Sequence, residues 1–256
     1  MSLLDGAAGG LDEAWPQDNE EAERTLESAL AALGGRAPGD ARAALERLEQ
    51  EHRDRRNWVW ARLDRAPLAF AVEHLARLAS FTSSGPATSV ESLRSTYSES
   101  GWRADDAFLA ALGAVEDSES RAAVAAAGLA VYRPWLDAHA RALQSAIGPE
   151  VNAGTYDVGP QASTDPGTVT VFVDGFRLDL AHRLVARLGG FATGVATALA
   201  ALPTVTDTAK PALTPVPDDV LAAGKDLGPV RASNGAKASI NVLRGFMRDR
   251  GGQVLE

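Results

Sequence analysis

Apolar residues recur three and four positions apart through the first 147 residues, the spacing that gives a helix one buried stripe. Glu20 to Leu33 carries Ala22, Leu26, Ala29, Leu30 and Leu33 on such a stripe, and Gly34-Gly35 follow where a left-handed cap is needed. Asp40 opens a second helix whose stripe runs through Ala44, Leu45 and Leu48 to Trp58, Val59 and Leu63. Pro67 interrupts it, and Leu68 to Phe81 resumes the pattern before the loop Ser83-Ser84-Gly85-Pro86. Thr88-Ser89-Val90-Glu91 reads as a capping box for a helix through Tyr97. Two more helices are predicted around Asp105 to Val115 and Ser118 to Tyr132, and Pro134 starts another that ends at Ile147.

From Gly148 to Gly167 the periodicity stops, and Gly, Pro, Asn, Ser and Thr take over, which marks a linker between a helical region (1–147) and a second domain (168–256). The period then changes. Thr168-Val169-Thr170-Val171-Phe172-Val173 is a β-branched run of strand length, closed by Asp174-Gly175. Phe176 to Leu188 reads as an amphipathic helix, and Phe191 to Leu202 fits a short strand or a helix. A Thr/Pro-rich stretch covers Pro203 to Pro217, Lys237 to Arg250 reads as a helix, and Gln253-Val254-Leu255 as the start of a second strand. The fold class expected is an α-helical N-terminal region followed by the first part of an α/β domain with an incomplete sheet.

Charge and composition narrow the function classes. The chain has 256 residues, no Cys, 25 Lys plus Arg against 34 Asp plus Glu, and a formal charge of −9. Thiol catalysis and thiolate zinc sites are excluded, and the acidic balance argues against a free-standing nucleic-acid binder. No apolar run approaches the roughly 18 residues of a membrane helix, so a cytoplasmic protein with no membrane partner is expected. Residues 1–50 hold eleven Asp/Glu and four Arg, whereas Arg53, Arg55, Arg56, Arg62 and Arg65 follow close together. Such charge runs read first as a solvated helix face and second as a docking surface for a partner or nucleic acid.

Two features carry candidate chemistry. Asp174 stands at the carboxyl end of the predicted strand, where open α/β sheets place their ligands, and a carboxylate there suits a divalent cation. It equally suits the cap of the following helix, a role Asp179 shares. A haloacid dehalogenase reading fails because Phe176 stands where a second Asp is required, and no phosphate-binding glycine motif follows the strand. The second feature is Leu202-Pro203-Thr204-Val205-Thr206-Asp207-Thr208-Ala209-Lys210-Pro211-Ala212. Its hydroxyls alternate ahead of a helix-compatible stretch, and a helix N-terminus favours a phosphate. The alternative is a capped turn.

VFVDGFRLD followed by LPTVTDTAKPALTPV resembles the PglZ family of the alkaline phosphatase superfamily, most closely its type B members, found in BREX and Pgl phage-defence systems. VYRPWL upstream, the Gly235-Ala236-Lys237 helix and Gly252-Gln253-Val254-Leu255 are similar to the same family, so the resemblance spans about residues 65 to 256. It implies an alkaline phosphatase-like domain and a phosphatase or phosphodiesterase that uses divalent metal ions, zinc or manganese. It implies Asp174 as a metal ligand and Thr206 as a metal-activated nucleophile, with Thr204 or Thr208 as alternatives. The relatives' phosphate-holding Asn falls on Ala209, which leaves Lys210 as the phosphate-binding residue. Arg177 is a substrate contact or, preferably, a salt-bridge partner. The superfamily's further Asp and His ligands have no counterpart here: His52, His74 and His139 lie in the helical region and His182 on the helix after Asp174. The chain is therefore expected to be a fragment, inactive alone, of a phosphohydrolase that works with other phage-defence subunits, with nucleic acid within reach of the complex. A helical scaffold without its own catalysis is the alternative expectation.

Overall fold

The computed structural model describes residues 15–156, 159, 167–216, 219–222 and 228–254. The chain divides into two units, Met1–Gly148 and Pro149–Glu256.

In the first unit three helices open on proline: α1 (Pro16–Ala31), α2 (Pro38–His52) and α4 (Pro67–Phe81). Proline suits the first helical position because its fixed φ is already helical and the missing N–H has no intrahelical acceptor there. Gly35 takes φ +84°, the left-handed turn that closes the first predicted helix. Leu26, Leu30, Leu45, Leu68, Val72, Leu75 and Leu78 pack with Val124, Val131 and Trp135 into one core.

The predicted second helix does not continue to Leu63. It breaks at Arg53–Asn57, a 3₁₀ turn, before the short α3 (Val59–Arg62), and Val59 and Leu63 are exposed. The cause is Arg55, which turns inward. Its Nη2 donates to Asn19 Oδ1 at 2.8 Å and to Glu23 Oε1 at 2.7 Å, and Glu23 Oε2 accepts the Leu68 amide at 3.0 Å. Arg56 donates to both carboxylate oxygens of Glu49, at 2.8 and 2.6 Å. Two of the five clustered arginines are thus consumed inside the unit, which corrects the solvated-face reading for them.

Ser89, rather than Thr88, caps α5 (Val90–Thr96), accepting the Ser92 amide at 3.2 Å. A π-helical turn, Tyr97–Gly101, joins α5 to α6 (Trp102–Gly113). The two helices expected either side of Pro134 are one, α7 (Ser118–Ala153), which also takes up the first residues of the predicted linker. A proline inside a helix forfeits one hydrogen bond and crowds the preceding turn. Here aromatic packing spans it: Tyr132 lies 5.1 Å from Phe108 and 6.0 Å from Trp135, which stands 4.4 Å from His139.

In the second unit Thr168–Val173 is in no strand and joins no ladder, and Val169 and Val171 are 80% and 77% exposed. A strand is stable only with hydrogen-bonded neighbours, and none among the described residues lies beside this one. The regular β-structure is a ribbon the sequence pattern did not reveal: β1 (Val220–Ala222) runs antiparallel to β2 (Pro229–Arg231), with Val220 opposite Arg231 and Ala222 opposite Pro229. The helices are α8 (Leu178–Arg187), α9 (Thr206–Leu213) and α10 (Ile240–Asp249), and Val220, Ala238 and Leu243 form a small core. Phe191 to Leu202 is neither strand nor helix, and Gln253 and Val254 are in no strand; Leu255 lies outside the described residues. The described residues are therefore mostly helical, and the larger α/β sheet expected from the sequence is not among them.

Candidate functional site

Asp174 and Gly175 form a turn after the β-branched run, and Gly175 takes φ +65°, a conformation that costs a residue with a Cβ far more. The turn leaves the Asp174 carboxylate exposed. The Leu202–Pro203 peptide is cis, and the Val205 amide donates back to Pro203 O at 2.8 Å. Thr206 is the first residue of α9; Val205 is its N-cap and offers no side-chain cap. The Val205 carbonyl accepts the amides of Thr208 and Ala209 at 3.0 and 2.8 Å. The amides of Thr206 and Asp207 precede the first intrahelical bond and point out of the helix end.

These two pieces meet. Thr206 Oγ1 donates to Asp174 Oδ2 at 3.3 Å across 32 residues of sequence. This is long for a hydroxyl-to-carboxylate bond, and both groups are exposed. Of the three alternating threonines, Thr206 is the one bonded to Asp174. Thr204 is exposed ahead of the helix, and Thr208 is buried on its inner side.

Lys210 is exposed on α9, four residues after Thr206. Residues four apart share a helix face, and side chains lean toward the N-terminus. Lys210 therefore stands on the same face of α9 as Thr206.

Arg177 is the N-cap residue of α8, and Asp179 is in its first turn. Asp179 is 1% exposed and accepts from Arg177 Nε at 2.9 Å and Nη2 at 3.3 Å. Arg177 is thus the salt-bridge partner favoured from the sequence. The burial of Asp179 was not foreseen, and the Arg-x-Asp spacing is its only trace in the sequence.

The residues present do not complete a divalent-metal site. Asp174 and Thr206 are two ligand residues with at most three oxygens between them, whereas zinc takes four ligands and manganese usually more. Among the described residues no three His, Cys, Asp or Glu side chains come together around one point. His52, His74 and His139 lie in α2, α4 and α7, and His182 in α8.

The first unit has an open cleft lined by Asn19, Glu23, Trp60, Asp64, Arg65 and Asp117. Burial pushes the Glu23 carboxyl up, more than the Leu68 amide and Arg55 pull it down. None of the sequence candidates lies in this cleft. No helix among the described residues is long and apolar enough to cross a membrane. No family model, curated protein or solved structure matches the chain.

Proposed function

We propose that the second unit carries the nucleophile half of a phosphoryl-transfer site, within an alkaline phosphatase-like α/β domain of the PglZ type that acts in cytoplasmic phage defence. What supports the reading is the hydrogen bond from Thr206 to Asp174, which joins the two motifs of the resemblance. With its proton directed at Asp174, the Thr206 hydroxyl keeps its lone pairs for phosphorus. The oxygen of Thr206 attacks, the bond to the leaving alcohol breaks, and water then cleaves the phosphothreonine. The free amides at the start of α9 and the Lys210 ammonium stabilise the oxygens that gain charge.

The resemblance calls for divalent zinc or manganese, which would lower the pKa of the attacking hydroxyl. Two ligand residues do not hold such an ion, so the remaining donors belong, on this reading, to residues beyond those described or to a partner subunit.

The test is turnover of a chromogenic phosphate ester, with zinc or manganese supplied, by the protein joined to those donors. Thr206→Ala should remove turnover while Thr204→Ala keeps it, and the 256-residue chain by itself should be nearly inactive. Undiminished turnover in Thr206→Ala reassigns the nucleophile.

A second reading, a helical scaffold for other defence subunits and any nucleic acid they hold, is favoured by Leu129 and Leu136, both exposed and two turns apart on α7. A scaffold keeps its partners in a pull-down when Asp174 and Thr206 are both replaced by alanine; loss of the partners in that variant ties them to the site.

A further inference from the structure

We propose that the cleft of the first unit binds a free amino acid with a large apolar side chain. Glu20 and Asp64 take its ammonium, and Arg65 with the Trp60 indole N–H takes its carboxylate. The site belongs to the first unit, so the inference goes beyond the phosphoryl-transfer reading and does not rest on it.

The cleft has a volume of about 660 Å³, within the range of small-molecule sites. Its walls come from α1, from α3 and the turn after it, and from the start of α7. The turn is held on two sides. The Arg65 amide donates to Trp60 O at 2.8 Å, and Asn19 Nδ2, from a buried residue of α1, donates to Arg65 O at 2.7 Å. Asp64 takes φ +56°, a left-handed conformation that aspartate and asparagine adopt more readily than other residues with a Cβ. The backbone is thus pinned while the side chains of Asp64 and Arg65 stay exposed.

The charged groups of the cleft fall into two sets. Glu23 is engaged by Arg55 and the Leu68 amide, Arg24 pairs with Glu21 at 2.7 Å, and Asp117 accepts the Ser120 amide at 2.8 Å. Glu20, Asp64 and Arg65 form the other set: their side chains make no hydrogen bond or ion pair among the described residues. Asp64 and Arg65 are neighbours in sequence and still do not pair with each other. Two carboxylates and one guanidinium match a ligand that carries both an ammonium and a carboxylate. A simple cation leaves Arg65 unmet, and a simple anion leaves Glu20 and Asp64 unmet.

Trp60 adds an independent observation. It lines the cleft, and its Nε1 is buried with no hydrogen-bond partner among the described residues. A buried donor without an acceptor is costly and rare, and a carboxylate drawn in by Arg65 supplies the acceptor. The indole and the rings of Pro16 and Pro67 give the cleft its apolar wall, which suits a large apolar side chain. Contacts to exposed charges are individually weak, so binding needs the ammonium, the carboxylate and the side chain together.

The experiment is isothermal calorimetry on the 256-residue chain with four probes, with circular dichroism confirming that each variant is folded. L-Phenylalanine should bind saturably. Phenethylamine, which lacks the carboxylate, 3-phenylpropionate, which lacks the ammonium, and glycine, which lacks the side chain, should each bind about tenfold or more weakly. Asp64→Asn, a change the left-handed backbone accepts, should weaken phenylalanine and phenethylamine and leave phenylpropionate unchanged. Arg65→Gln should weaken phenylalanine and phenylpropionate and leave phenethylamine unchanged. Trp60→Phe, which keeps an aromatic wall and removes the donor, should follow Arg65→Gln. This crossed pattern is one that a merely structural role for these residues would not give. Absence of saturable phenylalanine binding overturns the inference. So does phenethylamine or phenylpropionate binding as tightly as phenylalanine, or variants that weaken all the probes equally.

Discussion

The hydroxyl of Thr206 donates to the carboxylate of Asp174 at 3.3 Å, although 32 residues separate them. Both groups are exposed, so this bond competes with water on each side and contributes little to folding. Thr206→Ala should change the unfolding free energy by no more than about 0.5 kcal/mol, the range for exposed positions away from the core. Urea denaturation of the chain and its variant checks this. A loss of several kcal/mol would make the pair a structural clasp rather than a site.

The β-branched run from Thr168 to Val173 has no ladder partner among the described residues. Its backbone amides should exchange with deuterium far faster than those of α4, whose Leu68, Val72, Leu75 and Leu78 are fully buried. Protection of Val169 to Val173 comparable to that of α4 would place the run in a sheet.

Glu23 gives the first unit a pH dependence with a definite sign. Its folded-state carboxyl titrates above the ordinary value of 4.5, because burial outweighs the Leu68 amide and Arg55. Between 4.5 and that raised value the folded chain holds more protons than the unfolded one. The contribution of Glu23 to stability therefore falls as pH rises through this window. Denaturation curves from pH 4.5 upward should show the slope in the unmodified protein and a flatter one in Glu23→Gln. Glu23→Ala, which leaves Arg55 buried without its carboxylate, should cost about 3–5 kcal/mol at neutral pH.

Gly128 in α7 faces the ring of Phe108, and a Cβ built there comes within 2.8 Å of its Cδ2. Gly128→Ala should destabilise by about 1–3 kcal/mol through overpacking, despite the better helix propensity of alanine. Gly113 ends α6 with nothing within 4 Å of a built Cβ. Gly113→Ala should stabilise by about 0.5–1 kcal/mol. Thermal melts of the two variants should move in opposite directions.

The helices were legible because their stripes repeat over three or four turns, but their starts were not: α1 and α2 open at Pro16 and Pro38 rather than at Glu20 and Asp40. What the pattern hid was tertiary. Arg55 broke the second helix by turning into a carboxylate 32 residues earlier, and Pro134 stayed inside α7 because aromatic rings pack on both sides of it. The β1–β2 ribbon has three residues on each strand, too few to show a period. At the site, Asp174 and Thr206 were legible through their motifs. Asp179 was not, since a single Asp carries no sign of its own burial.

The central claim is that Thr206 is the phosphoryl acceptor. Its most direct test is acid quenching of the protein joined to the remaining metal donors and supplied with zinc or manganese, during reaction with a phosphate ester, followed by mass-spectrometric mapping of the phosphorylated residue. The account predicts phosphate on Thr206 and its disappearance in Thr206→Ala. Phosphate on Thr204 or Thr208, or turnover with no phosphothreonine in the peptide that spans them, would contradict it.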